Sequence, residues 1–417
     1  MDVFETCESE VRSYIRSFPV VFERAENALI WDESGKEYID FLAGAGTLNY
    51  GHNPAKMITA LIEYLGNQGI THSLDKATIA KRNFMETFYE VILKPRKLDY
   101  KMQFTGPTGT NSVEAAIKLA RRVTGRSNVI AFTRGYHGLT LGALALTGNN
   151  YYQQANNGGR NNVYHAPYDG YFGPIVDTVS YLNTLLEDNS SGVSLPAAII
   201  LETVQGEGGI HVASKSWLQG IAKLCKTHGI LLIIDDIQVG NGRTGDFFSF
   251  EFAGVTPDMV CLSKSIGGGL PLALLLLKPK WDQWLPGEHT GTFRGNNLAF
   301  VAAKEMLNYW RDDKFVTDIH EKSALIQTRL DQWVQDFPSL CLSVRGRGMV
   351  WGIEIQQEGL AKVLSSTLFK QGLLIETCGS KNNVIKLLPP LTIEIDLLNK
   401  GLNKIEGSLF KLNTKSE

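Results

Sequence analysis

Four short stretches carry residue types that chemistry needs. Ser263-Lys264-Ser265-Ile266 runs into Gly267–Gly269, directly after the apolar segment Met259–Leu262. A lysine between a buried strand and glycines that let other groups come close has two readings. It forms a Schiff base, its amine made nucleophilic by desolvation and nearby cations, or it holds a phosphate as a plain charge. The glycines follow the lysine, so this is not a Walker A loop, where they precede it. Asp235-Asp236-Ile237-Gln238 follows the apolar run Ile230–Ile234. Asp235 either caps the next segment or keeps a heterocyclic nitrogen protonated, since an opposite charge at hydrogen-bond range raises that nitrogen's pKa. Thr105–Ser112 places glycines and hydroxyls at the start of a helical pattern. It is either an anion site built on free N–H groups and the helix dipole, or an ordinary N-cap with Asn111 or Ser112 as the capping residue. Arg134-Gly135-Tyr136-His137-Gly138 offers an aromatic that can stack on a planar ring. Its plainer reading is a core tyrosine beside a satisfied histidine.

These stretches need elements to position them. Asn128–Phe132, Ala197–Leu201, Ile230–Ile234 and Met259–Leu262 are brief continuous apolar runs, the pattern of strands covered on both faces. Between them lie helical patterns. Ser112–Val123 has Val113, Ile117 and Ala120 on one stripe, and Trp217–His228 has Leu218, Ile221, Ala222 and Cys225. Alternating β and α segments predict an α/β domain with a mainly parallel sheet, which binds ligands beyond the carboxyl ends of its strands. Anion nest, aromatic, acid and lysine, each near a strand end, form the parts list for pyridoxal 5'-phosphate. That cofactor is an electron sink, deepened by a protonated ring nitrogen. Residues 28–41 read as a hairpin turning at Asp32–Gly35. Helices alternate with strand-rich Val344–Ile355 and Val384–Ile393 near the other end. The expected division is a small α+β domain from residues 1–60 and 306–417, with a large domain over 61–305. Polar Gly148–Gly159 reads as an exposed loop.

Composition narrows the partners. The 417 residues carry 41 Lys and Arg against 43 Asp and Glu, a net charge of −2. That balance gives no footprint for nucleic acid or an anionic membrane. Hydrophobic residues at 43% and charged residues at 20% exclude extended disorder. Cys7, Cys225, Cys261, Cys341 and Cys378 are scattered, which argues against a disulfide framework or a metal site and suits a reducing cytoplasm. The acidic, polar start has no apolar core of a secretory signal. The longest apolar run, Leu270–Leu277, is far short of the ~20 residues of a membrane span. No internal repeat at solenoid spacing is evident.

Taken end to end, the chain resembles the class III (ornithine/4-aminobutyrate-type) aminotransferases of fold-type I. The likeness rests on Phe41–His52, Glu202–Gly209, Asp235–Gln238, Gly242–Gly245, Pro257–Lys264, His289–Asn296 and Leu388–Leu391. The resemblance implies pyridoxal phosphate as cofactor, with Lys264 as the lysine that joins its aldehyde and shuttles the proton. It implies that Asp235 holds the pyridine nitrogen and Gln238 the ring phenolate oxygen. Gly109 and Thr110 would bind the phosphate, and Tyr136 would cover the ring. Thr292 would reach the phosphate in a neighbouring subunit, so the site would need at least a homodimer. Val11–Tyr14, Ser17–Val20, Ala43–His52, Phe104–Asn111 and Gly291–Asn297 are similar to one branch of the family. That branch moves an amino group from glutamate to aspartate 4-semialdehyde by a ping-pong mechanism. The product, 2,4-diaminobutyrate, feeds ectoine and some siderophore pathways. Other ω-amines (ornithine, 4-aminobutyrate or a specialised-metabolite aldehyde), or an aminomutase on the same parts, are the alternatives. The chain departs from the family pattern twice. Asp236 stands where a glutamate is usual, and Lys386 stands where many relatives carry an arginine that binds the glutamate α-carboxylate and pairs with Glu207. A lysine cannot make the two parallel bonds of a guanidinium. The expectation is that Arg294 takes over part of carboxylate recognition, and that Glu207 with Lys386 forms a gate.

Overall fold

The structure is a computed structural model of the 417-residue chain and describes residues 2–154 and 159–416. At its centre is a seven-stranded sheet. Across it run Lys101–Phe104, Leu274–Leu277, Met259–Leu262, Leu231–Asp235, Ala198–Leu201, Val129–Phe132 and Val163–Ala166. Leu274–Leu277 lies antiparallel to both its neighbours, and the remaining pairings are parallel. The inner strands are apolar throughout, apart from Asp235 at the end of one, because both faces are covered. On one face Ile199, Leu232, Ile234, Val260 and Leu274 join the larger core, with Trp217, Leu218 and Ile221 of the helix Lys215–His228. On the other, Ile200, Leu231, Ile233, Met259 and Leu275 pack with Val113, Ile117 and Ala120 of the helix Gly109–Thr124. The edge strands are less covered, as edges are.

Two four-stranded sheets flank this unit. Phe22–Glu26, Leu29–Asp32 and Glu37–Asp40 form an antiparallel meander, and Leu373–Leu374 adds to it in parallel. The turn forms because Asp32 Oδ1 accepts from the amides of Ser34 and Lys36. The second sheet orders Leu342–Arg347, Val350–Ile355, Val384–Leu387 and Glu376–Cys378, all antiparallel.

Three local expectations are corrected. The last strand stops at Leu387 rather than Ile393, because Pro389 and Pro390 have no N–H for a ladder. The polar stretch from Gly148 contains a short helix, Asn150–Gln153, started by the Asn149 side chain accepting from the Tyr151 amide; residues 155–158 of that stretch lie outside the described residues. The capping residue before Gly109 is Thr108, not Asn111 or Ser112. Asn111 reaches back to the Thr108 amide at 3.2 Å, while the buried Ser112 hydroxyl donates to Leu274 O at 2.9 Å. Among the described residues no helix is long and apolar enough to cross a membrane, and no cluster of three or more His, Cys, Asp or Glu is arranged for a metal.

Candidate active site

Lys264 opens a single 3₁₀ turn two residues beyond the strand Met259–Leu262. Its backbone sits at φ 52°, a left-handed conformation uncommon for a non-glycine residue and seen at strained functional positions. The glycines after it have a packing reason. A Cβ on Gly268 would stand 3.2 Å from Ala302, Met306 and Met57, so the helix Asn297–Leu307 could not approach so closely. Lys264 Nζ donates to Ala45 O at 2.8 Å, in a tight segment where Ala43, Gly44, Ala45 and Gly46 all have positive φ. Burial draws the Lys264 ammonium down to about 8; Lys386 pushes the same way, against Glu207, Glu376 and Asp235.

A polar chain runs from this amine to the rim. Gln238 Nε2 donates to both Ala45 O and Glu207 Oε1, each at 3.0 Å. Glu207 Oε1 accepts from Lys386 Nζ at 2.5 Å, and the same ammonium lies 2.7 Å from Glu376 Oε1. Tyr14 OH donates to Glu376 Oε2 at 3.1 Å. Burial alone would raise the Glu207 carboxyl, but the ammonium groups of Lys386 and Lys264 outweigh it and lower its pKa. Burial likewise disfavours the Lys386 charge, yet the two glutamates raise its pKa well above the ordinary value.

Asp235 ends the central strand Leu231–Asp235. Its Oδ2 pairs with His137 Nδ1 at 2.7 Å, and both side chains are buried. Burial works against the imidazolium, but the hydrogen bond and charge of Asp235, with Glu202 nearby, raise the His137 pKa. Glu202 follows the strand Ala198–Leu201 and accepts from the amides of Tyr136 at 2.9 Å and Gly206 at 3.3 Å. Burial lifts its carboxyl to about 7. Asp236 turns the other way, accepts from the Ser249 amide at 3.0 Å, and is also lifted to about 7 by burial.

Gly109 and Thr110 form the first turn of a 16-residue helix, where amides have no intrahelical partner. The Thr110 hydroxyl is engaged by Thr140 at 2.6 Å. Thr292 and Arg294 stand apart from this cluster. Thr292 is exposed, and its carbonyl accepts from His72 Nε2 at 3.1 Å. Arg294 donates to Phe104 O at 3.0 Å and lines a cavity of about 850 Å³ with Lys81, Trp284 and His289; neither Lys264 nor Lys386 lines it.

The residues gathered around Lys264 suit a phosphorylated pyridine aldehyde. Gln238 Oε1 is buried without a hydrogen-bond partner among the described residues. A Cβ on Gly206 would stand 1.7 Å from that oxygen, so only glycine leaves it room. A desolvated amine, a buried carboxylate and a helix N-terminus complete the set. Sequence reasoning missed Glu376, gave Tyr14 and Glu202 no role, and read His137 as a satisfied histidine without naming Asp235 as its partner. The register Glu376 opposite Lys386 is the signal that would have placed Glu376.

The class-III aminotransferase family model matches residues 12–409. A diaminobutyrate–2-oxoglutarate transaminase of Wolinella succinogenes is 59% identical over 417 residues, covering 100% of this chain and 98% of that protein. One from Halalkalibacterium halodurans is 57% identical, covering 99% and 97%. Among solved structures, a transaminase from the marine bacterium Virgibacillus superposes with a TM-score of 0.88 at 21% identity, covering 99% of each chain; this likeness concerns the fold. Matched along nearly its whole length, the chain belongs to the class III aminotransferases, pyridoxal-phosphate-dependent enzymes of fold-type I.

Proposed function

We propose that this enzyme transfers an amino group between glutamate and the terminal carbon of aspartate 4-semialdehyde, giving 2-oxoglutarate and 2,4-diaminobutyrate. One observation carries the reaction type: a half-buried, strained lysine with its amine drawn down to about 8, in the field of a buried Asp–His pair at the strand ends. The full-length relatives support the substrate pair, since two at 59% and 57% identity bear that activity in their names.

Pyridoxal phosphate, when bound, supplies an aldehyde to capture amines and a ring that accepts electrons from the reacting carbon. Lys264 would hold its aldehyde carbon, Asp235 its ring nitrogen, Gln238 its phenolate oxygen, and the amides of Gly109 and Thr110 its phosphate, with Tyr136 on the ring face. Lys264 Nζ, able to shed its proton near neutral pH, takes the proton from the substrate carbon that bears the amine. His137, hydrogen-bonded through Nδ1 to Asp235 Oδ2, holds that carboxylate fixed in direction. Glu202 ties the Tyr136 backbone to the Gly206 turn and so sets the ring-covering residue against Gln238. Of the three expected substrate contacts, Glu207 is the one proposed to touch substrate; Lys386 lies buried behind it, and Arg294 lines a separate cavity.

We further infer a homodimer in which Thr292 serves the neighbouring subunit's phosphate. Its exposure in one chain supports that reading. Residues 1–60 and 306–417 are proposed as the small domain, 61–305 as the large one, and the cytoplasm as the location. The test is turnover of 2,4-diaminobutyrate with 2-oxoglutarate by the purified holoenzyme, with glutamate measured in a coupled assay. Ornithine and 4-aminobutyrate are run beside it. Diaminobutyrate should lead in kcat/KM by at least tenfold; a lead by either competitor overturns the substrate assignment. Conversion without any keto acid would instead indicate an aminomutase.

A further inference from the structure

Among the described residues, Lys386 is the ammonium whose charge bears on Lys264, and a substrate carboxylate would be expected to seek it. It is not free to answer. Its side chain is fully buried, and Nζ lies 2.5 Å from Glu207 Oε1 and 2.7 Å from Glu376 Oε1. An ammonium has three donors, and two of them face carboxylates. The placement is built into the sheet: Glu376 stands directly across the antiparallel ladder from Lys386. With all three ionised, the trio carries one net negative charge. Its glutamates, not its lysine, reach the open side. The Glu207 side chain is 26% exposed, Glu376 11% and Lys386 0%. Gln238 secures Glu207 from within, and Tyr14, half-exposed on the helix Tyr14–Ser17, secures the outer oxygen of Glu376.

We propose that Glu376 is a specificity-determining residue: together with Glu207 it receives the α-ammonium end of a diamino acid whose terminal amine is at Lys264, while holding Lys386 away from substrate carboxylates. The chemistry fits the geometry. 2,4-Diaminobutyrate is 4-aminobutyrate with one added α-ammonium, so a site with surplus negative charge at that distance separates the two. A free cation there would instead favour both through their shared carboxylate. The inference rests on the proposed diaminobutyrate reaction.

The test uses the holoenzyme and two numbers: KM for 2,4-diaminobutyrate, and the inhibition constant of 4-aminobutyrate against it. Glu376→Gln keeps the shape and removes the surplus charge. The ratio of the two constants should shift at least tenfold against diaminobutyrate. Tyr14→Phe, which only loosens Glu376 and leaves the buried trio in place, should shift it at least threefold the same way. This second variant also decides the matter if Glu376→Gln does not fold. An unchanged ratio in Tyr14→Phe, or constants that rise equally for both compounds in Glu376→Gln, overturns the inference. If the unsubstituted enzyme fails to turn over diaminobutyrate, it is the functional reading that fails; if it succeeds and the ratio holds, it is this one.

Discussion

His137, read from the sequence as a satisfied histidine, has Asp235 as the partner that satisfies it, so its removal should be felt in both stability and catalysis. The perturbation is His137→Leu, which keeps bulk and removes the donor. At 2.7 Å and an effective dielectric near 20, Coulomb's law gives roughly 6 kcal/mol of gross attraction. Desolvation of both groups cancels part of it. Deleting one partner of a buried pair leaves the other charge uncompensated and costs about 3–5 kcal/mol. The pH dependence has a definite sign. The folded pKa of His137 is raised above its ordinary 6.5, so the fold binds the proton more tightly than the unfolded chain. That stabilisation is full below pH 6.5 and fades as pH rises through the folded value. The gap between the wild type and His137→Leu should therefore be wider at pH 6 than at pH 9. Urea unfolding followed by tryptophan fluorescence at a series of pH values measures it. A gap that does not change with pH would mean the ring is neutral throughout, and a gap below about 1 kcal/mol would mean the pair adds little beyond an ordinary hydrogen bond. In turnover, the freed Asp235 should lose its orientation and kcat should fall more than KM changes.

Lys264→Ala should abolish transamination of diaminobutyrate, and a rate near that of the wild type would remove the lysine from its role. Gly206→Ala should displace Gln238, because the new Cβ would lie 1.7 Å from Oε1; a fall of at least tenfold in activity with an unchanged urea midpoint is expected. Glu202 releases its proton near 7 in the fold and at about 4.5 when unfolded, so the fold holds the extra proton between those values and stability falls as pH climbs through that window, by about 3 kcal/mol. Glu202→Gln should flatten that slope in urea titrations, and an unchanged slope would assign it to other groups. Mixing inactive Lys264→Ala subunits with weakened Thr292→Ala subunits should restore activity through hybrid dimers that contain one intact site; no recovery after subunit exchange would argue against a shared site.

The inner strands of the central sheet were legible because they are continuous apolar runs, broken only by Asp235 at the end of one. Met259–Leu262 was read with its exact bounds, and three other runs fell within a residue of theirs. Such runs need no tertiary information, since covering on both faces erases any alternation. The reversed strand Leu274–Leu277 was noticed only as an apolar run, because direction leaves no mark on composition. The break after Leu387 could have been read from Pro389-Pro390, where resemblance to a strand-rich stretch overrode the missing amides.

The site divides along the same physical line. Lys264 and Asp235 announce themselves because a charged residue at the end of a buried apolar run is expensive and therefore conspicuous. Glu376 has no such mark. It lies in a three-residue strand of mixed character, and its meaning comes wholly from a pairing partner ten residues away and from two others in distant segments, Glu207 and Tyr14. Lys386, read as standing in an arginine's place, was expected to change how a carboxylate is held. Loss of the guanidinium fork pointed to a changed carboxylate contact, whereas the structure shows the lysine itself neutralised by a second acid. The compact ammonium sits between the two carboxylates. Lys386 and Glu376 face each other across the ladder, so a bulkier Lys386→Arg side chain should disturb Glu376 and raise KM for diaminobutyrate. If that substitution left KM where it was, the two positions would be independent and the neutralised-lysine account would lose its reason for the pairing.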